Sequence, residues 1–372
     1  MSLINLDLAT RGMDSSARWK ILKRHVFSFL RHMTLKKFIN FCYAEISRIM
    51  KKEALKSYPY ILKIESTNIC NLSCAYCYDG RRMPVSGERA YGRMSFGNFK
   101  KLIDEVGAYV FKINLYGFGE PLLFPETLEM IKYASKNNIG MSISSNLNFN
   151  DPDLPKRIVE SGLEVLIFSC HGVTQESYSK FMVKGNMQTA MENVKKIVEE
   201  RKRVGSSTPF IDWQYCVTKF NEGEMGMATA RAKELGVDQI RFLRPFIPHD
   251  AGEEWLADFF REGEPVGSPQ HKPGCTWPYR SAYINYDGGL LPCCQDVRLL
   301  ANDFGNVFIS GFMNVWNNEN YRRSRRLIAN PTDKNIACHT ICSRCNTIGT
   351  ADNKEINKRK ITTLSQLTKG KI

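Results

Sequence analysis

Cys70-Asn71-Leu72-Ser73-Cys74-Ala75-Tyr76-Cys77 sets three thiols on one short stretch, directly after an apolar run that begins at Tyr60. Spacings of three and then two residues bring the thiolates to one point. Soft thiolates select zinc or iron–sulfur clusters. A [4Fe–4S] cube has four corners, so three local ligands leave one iron open to something that is not protein. The competing reading is a zinc site with its fourth ligand elsewhere. Zinc modules mostly pair two C-x2-C-like knuckles, and the first spacing here is three.

The surroundings decide how such a loop is read. The chain has 372 residues, 43% of them hydrophobic, enough for one large domain and a smaller one. Twelve cysteines would suit a disulfide framework in a secreted protein. Charges interrupt every apolar run near the N-terminus, so no secretory leader is expected, and no stretch approaches the ~20 apolar residues of a membrane span. A cytoplasmic, reducing compartment is expected, where clustered cysteines are metal ligands. The net charge of +14 is uneven. Residues 1–57 carry 12 Lys/Arg against 4 Asp/Glu, and residues 351–372 carry 6 against 2. The body between is near neutral, so the total does not argue for a nucleic-acid groove.

Apolar residues recur at helical intervals over residues 15–57: Trp19, Leu22, Val26, Phe29, Leu30, Phe38, Phe41, Ile46 and Ile49. Helices packed on the outside of the main domain are expected there, with Cys42 as a small apolar residue; a basic amphipathic helix on an anionic membrane is the alternative. From residue 60 strand-like runs (61–65, 113–116, 141–144, 165–170, 210–217, 239–243) alternate with helix-like runs (95–109, 125–137, 153–161, 187–202, 224–235). Alternation of this kind implies βαβ units and a parallel sheet, and six units make a partial (β/α)6 TIM-like barrel. Active sites of such barrels lie at the C-terminal strand ends, and the cysteine loop follows the first strand. Residues 252–274 read as a connection to a second domain. The expected division is 1–57, a basic helical extension; 58–250, the barrel; 251–350, a cysteine-bearing domain; and 351–372, a basic tail.

The C-x3-C-x2-C loop with Tyr76 before its third cysteine resembles the signature of the radical S-adenosylmethionine (SAM) superfamily. The resemblance implies that Cys70, Cys74 and Cys77 hold a [4Fe–4S] cluster whose open iron chelates SAM, and that the reaction begins with reductive cleavage of SAM and removal of a substrate hydrogen atom. Gly117-Phe118-Gly119-Glu120-Pro121 after the second strand resembles the family's GGEP motif, with Phe118 for the commoner glycine, and implies that Gly119 and Glu120 meet the SAM amino group. Ser144 and Asn146 after strand three, Ser169 after strand four, Asn221 after strand five and Arg244 after strand six stand where relatives set polar contacts to SAM or substrate. In Ser169-Cys170-His171-Gly172, His171 replaces the family's aspartate. It is either a general acid/base or a helix cap. Cys170 and Cys216 are either hydrogen-atom donors to a substrate radical or inert buried thiols.

Cys275, thirteen residues, Gly289, four residues and Cys294 resemble the opening of a SPASM/twitch auxiliary-cluster domain. Asp287-Gly288-Gly289 reads as a hairpin turn between runs 282–286 and 290–292. Cys342-Ser343-Arg344-Cys345 adds a C-x2-C pair, giving Cys275, Cys294, Cys342 and Cys345 as ligands of one auxiliary [4Fe–4S] cluster, with Cys293 and Cys338 as alternates. A zinc knuckle is the alternative for these four. The function expected is a radical SAM enzyme served by a one-electron donor such as flavodoxin or ferredoxin. Its substrate is expected to be a sugar or other small molecule, oxidised or epimerised, because residues 1–57 read as too short for a winged-helix peptide-recognition domain; peptide or protein-residue maturation is the alternative. A non-catalytic zinc protein with a basic nucleic-acid-binding arm is the reading of another class.

Overall fold

The computed structural model describes residues 15–75, 77, 86–245, 253–258, 275–331, 336 and 339–345. Strands β1 (Ile61–Ile64), β2 (Lys112–Asn114), β3 (Gly140–Ser145), β4 (Val165–Ser169), β5 (Phe210–Cys216) and β6 (Gln239–Leu243) pair in parallel and in sequence order. Helices α1 (Ser15–Arg31) and α2 (Leu35–Ile49) precede them. The crossovers that parallel pairing requires are α3 (Phe96–Val106), α4 (Glu126–Lys136), α5 (Leu154–Glu160), α6 (Gln175–Phe181), α7 (Met187–Arg203) and α8 (Met225–Leu235). All but the short α6 fall close to the runs read from periodicity.

Successive strand residues point to opposite faces of the sheet. Leu62, Ile64, Ile113, Met141, Ile143, Leu166, Phe168, Ile211 and Trp213 are buried in the core beneath the helices. Their neighbours in sequence point to the other face, the barrel interior. The sheet does not close from β6 to β1. It continues past β1 into β7 (Ser281–Ile284), which is parallel to β1, and then into antiparallel β8 (Gly289–Leu291) and β9 (Gly305–Asn306). The C-terminal hairpin is therefore an extension of the barrel sheet. Four helices accompany it: α9 (Trp277–Arg280), α10 (Val307–Ser310), α11 (Phe312–Trp316) and α12 (Glu319–Ala329).

The N-terminal helices cover the barrel end opposite the cysteine loop. Phe29 stacks on Phe111 at 4.1 Å, and Phe41 meets Tyr60 edge-on at 5.1 Å. Lys37 donates to the Asn138 carbonyl, and His32 lies 2.8 Å from Glu164. Each partner lies one or two residues before a strand, so these contacts seal the bottom. The apolar positions of the helices do not all pack inward as expected. Phe29 and Phe41 do; Trp19, Val26, Leu30, Phe38, Ile46 and Ile49 face outward. On α2 the buried side is Lys37, Asn40, Ala44 and Ser47. Among the described residues no helix is long and apolar enough to cross a membrane.

Candidate active site

The loop after β1 carries Cys70, Cys74 and Cys77, all partly buried and unbridged. The Cys70 thiol accepts from the Leu72 amide at 3.4 Å and from Asn146 Nδ2 at 3.9 Å. Desolvation pushes it up to about 12, the response of a thiol whose thiolate has no counter-charge. The loop is pinned on both sides: the Ser73 amide donates to the Val183 carbonyl and the Ala75 amide to that of Phe181. Cys77 Sγ reaches the Phe118 carbonyl at 4.0 Å, which brings the cysteine loop against the glycine turn after β2.

That turn is held by backbone contact. A Cβ on Gly119 would stand 2.3 Å from the Thr67 carbonyl oxygen and 2.8 Å from the Ile69 amide nitrogen, so only glycine fits. The Glu120 amide donates to the Ile69 carbonyl at 2.9 Å. The Glu120 carboxylate itself is buried. Its Oε2 accepts from the Asn146 amide at 2.8 Å and its Oε1 from the Leu122 amide at 3.1 Å. Burial pushes it up to about 7, against the pull of those two N–H groups. The carboxylate thereby ties the end of β2 to the end of β3. Pro121 starts the short turn Pro121–Leu123 that Glu120 caps. Asn146 Nδ2 also donates to Asn71 at 2.9 Å, so the first three strand ends form one knot around the cysteines.

Farther round the mouth, Ser144 and Ser169 hydroxyls lie 2.9 Å apart. Asn221 is buried; it donates to the carbonyls of His171 and Cys216 and accepts from the Thr218 amide, clamping β4 to β5 instead of facing a ligand. His171 is likewise an internal brace, its Nδ1 accepting from the Cys216 amide at 3.1 Å. Burial lowers it to about 4, so it is neutral at pH 7. Cys170 is fully buried on the helix side of β4, because Ser169 takes the interior side; it is an inert thiol. Cys216 keeps some exposure on the interior face, and desolvation pushes it up to about 12, which holds it as S–H. Arg244 is exposed at the end of β6. Tyr76 and Cys338 lie outside the described residues.

The interior face holds polar residues that motif reading passed over. Lys63 Nζ lies 4.9 Å from the Tyr116 ring centre. Asn114 accepts from the Ser142 hydroxyl at 2.7 Å, and Asp212 takes both its oxygens to Arg241 Nε, at 2.8 and 2.9 Å. A sheet buried on both faces by apolar matter would show unbroken hydrophobic runs. The alternation Phe210-Ile211-Asp212-Trp213-Gln214 and Gln239-Ile240-Arg241-Phe242 is the signal that would have found this polar interior.

The second cysteine group gathers beside β8. Gly288, at φ +94°, makes the hairpin turn, and a Cβ there would strike the Phe308 ring at 2.4 Å. Arg89 crosses from the barrel to bind Asp287 and Asp303. Of the adjacent pair after β8, Cys294 is exposed and Cys293 half-buried; burial holds the Cys293 thiol well above its ordinary value, with Cys342, Cys294 and Cys275 close enough to add to the rise. Cys275 is in turn coupled to Cys345. The C-x2-C turn is capped by Thr340, whose hydroxyl accepts from the Cys342 amide at 3.3 Å. Cys293 is thus the less exposed of the two, with Cys342 and Cys275 near it. Counting from Gly288 to Cys293 gives the same four-residue spacing as from Gly289 to Cys294, so spacing alone did not separate them.

Comparison with known proteins places this geometry. The radical SAM superfamily matches residues 64–212, and the SPASM iron–sulfur cluster-binding domain matches residues 275–346. The chain is a radical SAM enzyme with a C-terminal SPASM domain. Among its curated relatives is the tungsten-containing aldehyde ferredoxin oxidoreductase cofactor-modifying protein of Pyrococcus furiosus, 23% identical over 78% of this chain and 90% of that protein. Another is the mycofactocin maturase MftC of Mycobacterium ulcerans, 29% identical over 50% of this chain and 48% of the relative, about half the length of each. Streptococcus suis SuiB shares the fold: bound to SAM it covers 89% of this chain and 78% of its own at TM-score 0.58 and 14% identity, and bound to the precursor peptide SuiA it gives TM-score 0.56.

The enzyme's cofactors are accordingly [4Fe–4S] clusters and SAM, and the residues present suit them. A tetrahedral zinc ion, with Zn–S of about 2.3 Å, draws its thiolates to within about 4 Å of each other. No three Cys, His, Asp or Glu close up in that way among the described residues. The Tyr321 hydroxyl is fully buried and has no hydrogen-bond partner among the described residues, and Cys342 and Cys293 lie near enough to raise its pKa further. Buried donors of this kind are rare without a ligand. Behind it Arg325 is buried with only neutral oxygens as acceptors, its guanidinium 5.1 Å from the Tyr321 ring centre. A cation and an orphan donor suit an anionic cluster. Tyr321→Phe is expected to lower the auxiliary cluster's midpoint potential by about 40 mV, the value of one hydrogen bond of about 1 kcal/mol on a one-electron couple, read by EPR-monitored titration.

Proposed function

We propose that the enzyme is a radical SAM maturase that abstracts a hydrogen atom from a carbon of a peptide or peptide-derived substrate in the polar barrel interior. In this reading Cys70, Cys74 and Cys77 hold the SAM cluster, and Cys275, Cys293, Cys342 and Cys345 hold the auxiliary one. When bound, the first cluster and SAM supply a 5′-deoxyadenosyl radical. The chain's own part is positional. The knot of Cys70, Gly119, Glu120 and Asn146 fixes the cysteine loop over the open end of the interior, and that convergence is the observation that carries the proposal. The backbone at Gly117 and Gly119 offers polar groups to the methionine end of SAM. The interior groups Lys63, Asn114, Ser144, Ser169 and Gln214 orient a polar substrate, with Cys216 S–H placed to return a hydrogen atom.

The expected lean towards a sugar has no support in the names of the relatives, which include a cofactor-modifying protein, a mycofactocin maturase and a heme synthase. A ferredoxin or flavodoxin would supply the electron. The test is anaerobic incubation of the reconstituted enzyme with SAM, a reductant and the short peptide encoded nearest its gene. A rise in 5′-deoxyadenosine with a matching mass change in the peptide is expected; 5′-deoxyadenosine formation that no such peptide stimulates, but a sugar does, would overturn the maturase reading.

The ligand choice has its own check. Cys293→Ala is expected to lower bound iron from about eight to about four per chain, one cube, while Cys294→Ala leaves about eight. The reverse pattern in iron analysis would restore Cys294 as the ligand.

A further inference from the structure

Helix α2 is amphipathic in the inverted sense. Its buried side is Lys37, Asn40, Ala44 and Ser47, satisfied by hydrogen bonds such as Asn40 Nδ2 to the Tyr58 carbonyl at 3.1 Å. Its outer side carries Leu35, Phe38, Ile39, Tyr43, Ile46 and Ile49, between 46% and 76% exposed. Recurrence at three- and four-residue steps makes this one stripe along about 22 Å of helix. Helix α1 adds Trp19, Phe27 and Leu30, each more than 60% exposed. A monomer in water does not leave so much contiguous apolar surface without use.

The charge around the stripe has one sign. Residues 15–57 carry eleven Lys/Arg, of which Lys37 is buried, and only two carboxylates, Glu45 and Glu53. Both carboxylates are held by arginines of the C-terminal part: Glu45 by Arg280, with Nε at 2.6 Å, and Glu53 by Arg326, with Nε at 2.8 Å. The outward face is thus apolar, aromatic and cationic. Two copies would bring like charges together, and a convex helix offers no pocket that would define a single protein partner.

We propose that α1 and α2 dock the enzyme on an anionic phospholipid surface, their outward stripe sunk into the headgroup–acyl boundary and their lysines and arginines among lipid phosphates. Apolar area and cation attraction together give such helices useful affinity, and each cation near an anionic leaflet adds about fivefold. Docking through the bottom of the barrel leaves the cysteine-bearing mouth directed away from the bilayer.

The test is anaerobic co-sedimentation of the full-length reconstituted enzyme with phosphatidylcholine vesicles, with and without about 30 mol% phosphatidylglycerol. Partition onto the anionic vesicles alone, released by high salt, is expected. Phe38→Asp with Ile46→Asp should lower partition more than tenfold, and Lys23→Ala about fivefold, with SAM cleavage unchanged. Absence of partition would overturn the proposal, as would equal binding to neutral vesicles. So would a solution dimer that Phe38→Asp dissolves, or partition that appears only after residues 1–14 are removed, which would make that segment the stripe's cover.

Discussion

Cys74→Ala abolishes reductive cleavage of SAM: 5′-deoxyadenosine falls to the level of a reaction without enzyme. With one of three thiolates gone, the loop cannot hold a cube and keep one iron open. The loss is categorical because no neighbouring described residue can substitute. Asn71, Asn146, Phe118, Phe181 and Val183 are among the residues that touch the loop, and none supplies a thiolate. The triple replacement of Cys70, Cys74 and Cys77 by alanine should retain about four irons where the parent holds about eight, because the SPASM match, residues 275–346, carries its own set of cysteines. About twelve irons in the parent would mean two auxiliary clusters. Cleavage persisting in Cys74→Ala would remove the first cluster from this loop.

Gly119→Ala is the second large effect, and it acts without touching a cysteine. The added methyl would meet the carbonyl oxygen of Thr67 at 2.3 Å and the amide nitrogen and carbonyl oxygen of Ile69 at 2.8 Å. These are backbone atoms of the segment that leads into Cys70, and they cannot swing aside as a side chain would. The glycine turn must therefore lift away from the cysteine loop, taking with it the Glu120 amide bond to Ile69 and the brace from Glu120 to Asn146. A displacement of about 1 Å at a reacting centre costs on the order of 100-fold in rate. SAM cleavage is expected to fall by about that factor with iron content held near the parent's. Gly117→Ala is milder. Its methyl would meet the side-chain atoms of Glu65 and Tyr283, which can shift. Equal rates for Gly119→Ala and the parent would detach the glycine turn from the site.

Several readings of the sequence survived because they depend on local chemistry. The cysteine spacing, the glycine turn and the βαβ rhythm are properties of short segments, and β1 to β6 lie where alternating runs were found. Cys170 and His171 went differently. Both were weighed by residue type and proximity to a strand end, whereas the two-residue period of β4 sends Ser169 inward and Cys170 outward into the core. The same period carried the polar interior of Asp212, Gln214 and Arg241, so that part was legible and was missed by looking for motifs. Asn221 and Glu120 look like ligand contacts in one dimension because buried backbone groups, which need partners, are invisible there.

The sequence by itself determined the chemistry: three thiols at fixed steps, a glycine turn one βα unit later and a second thiol set, all within segments short enough for local geometry to govern. Only the tertiary structure decided which of two adjacent cysteines turns inward and that β7 joins the barrel at β1. It also decided that α2 offers its polar side to the protein and its apolar side to the outside. Each of those outcomes depends on which distant surface is already satisfied. The barrel bottom presents the Asn138 and Tyr58 carbonyls, which need donors, so the helix turns Lys37 and Asn40 towards them.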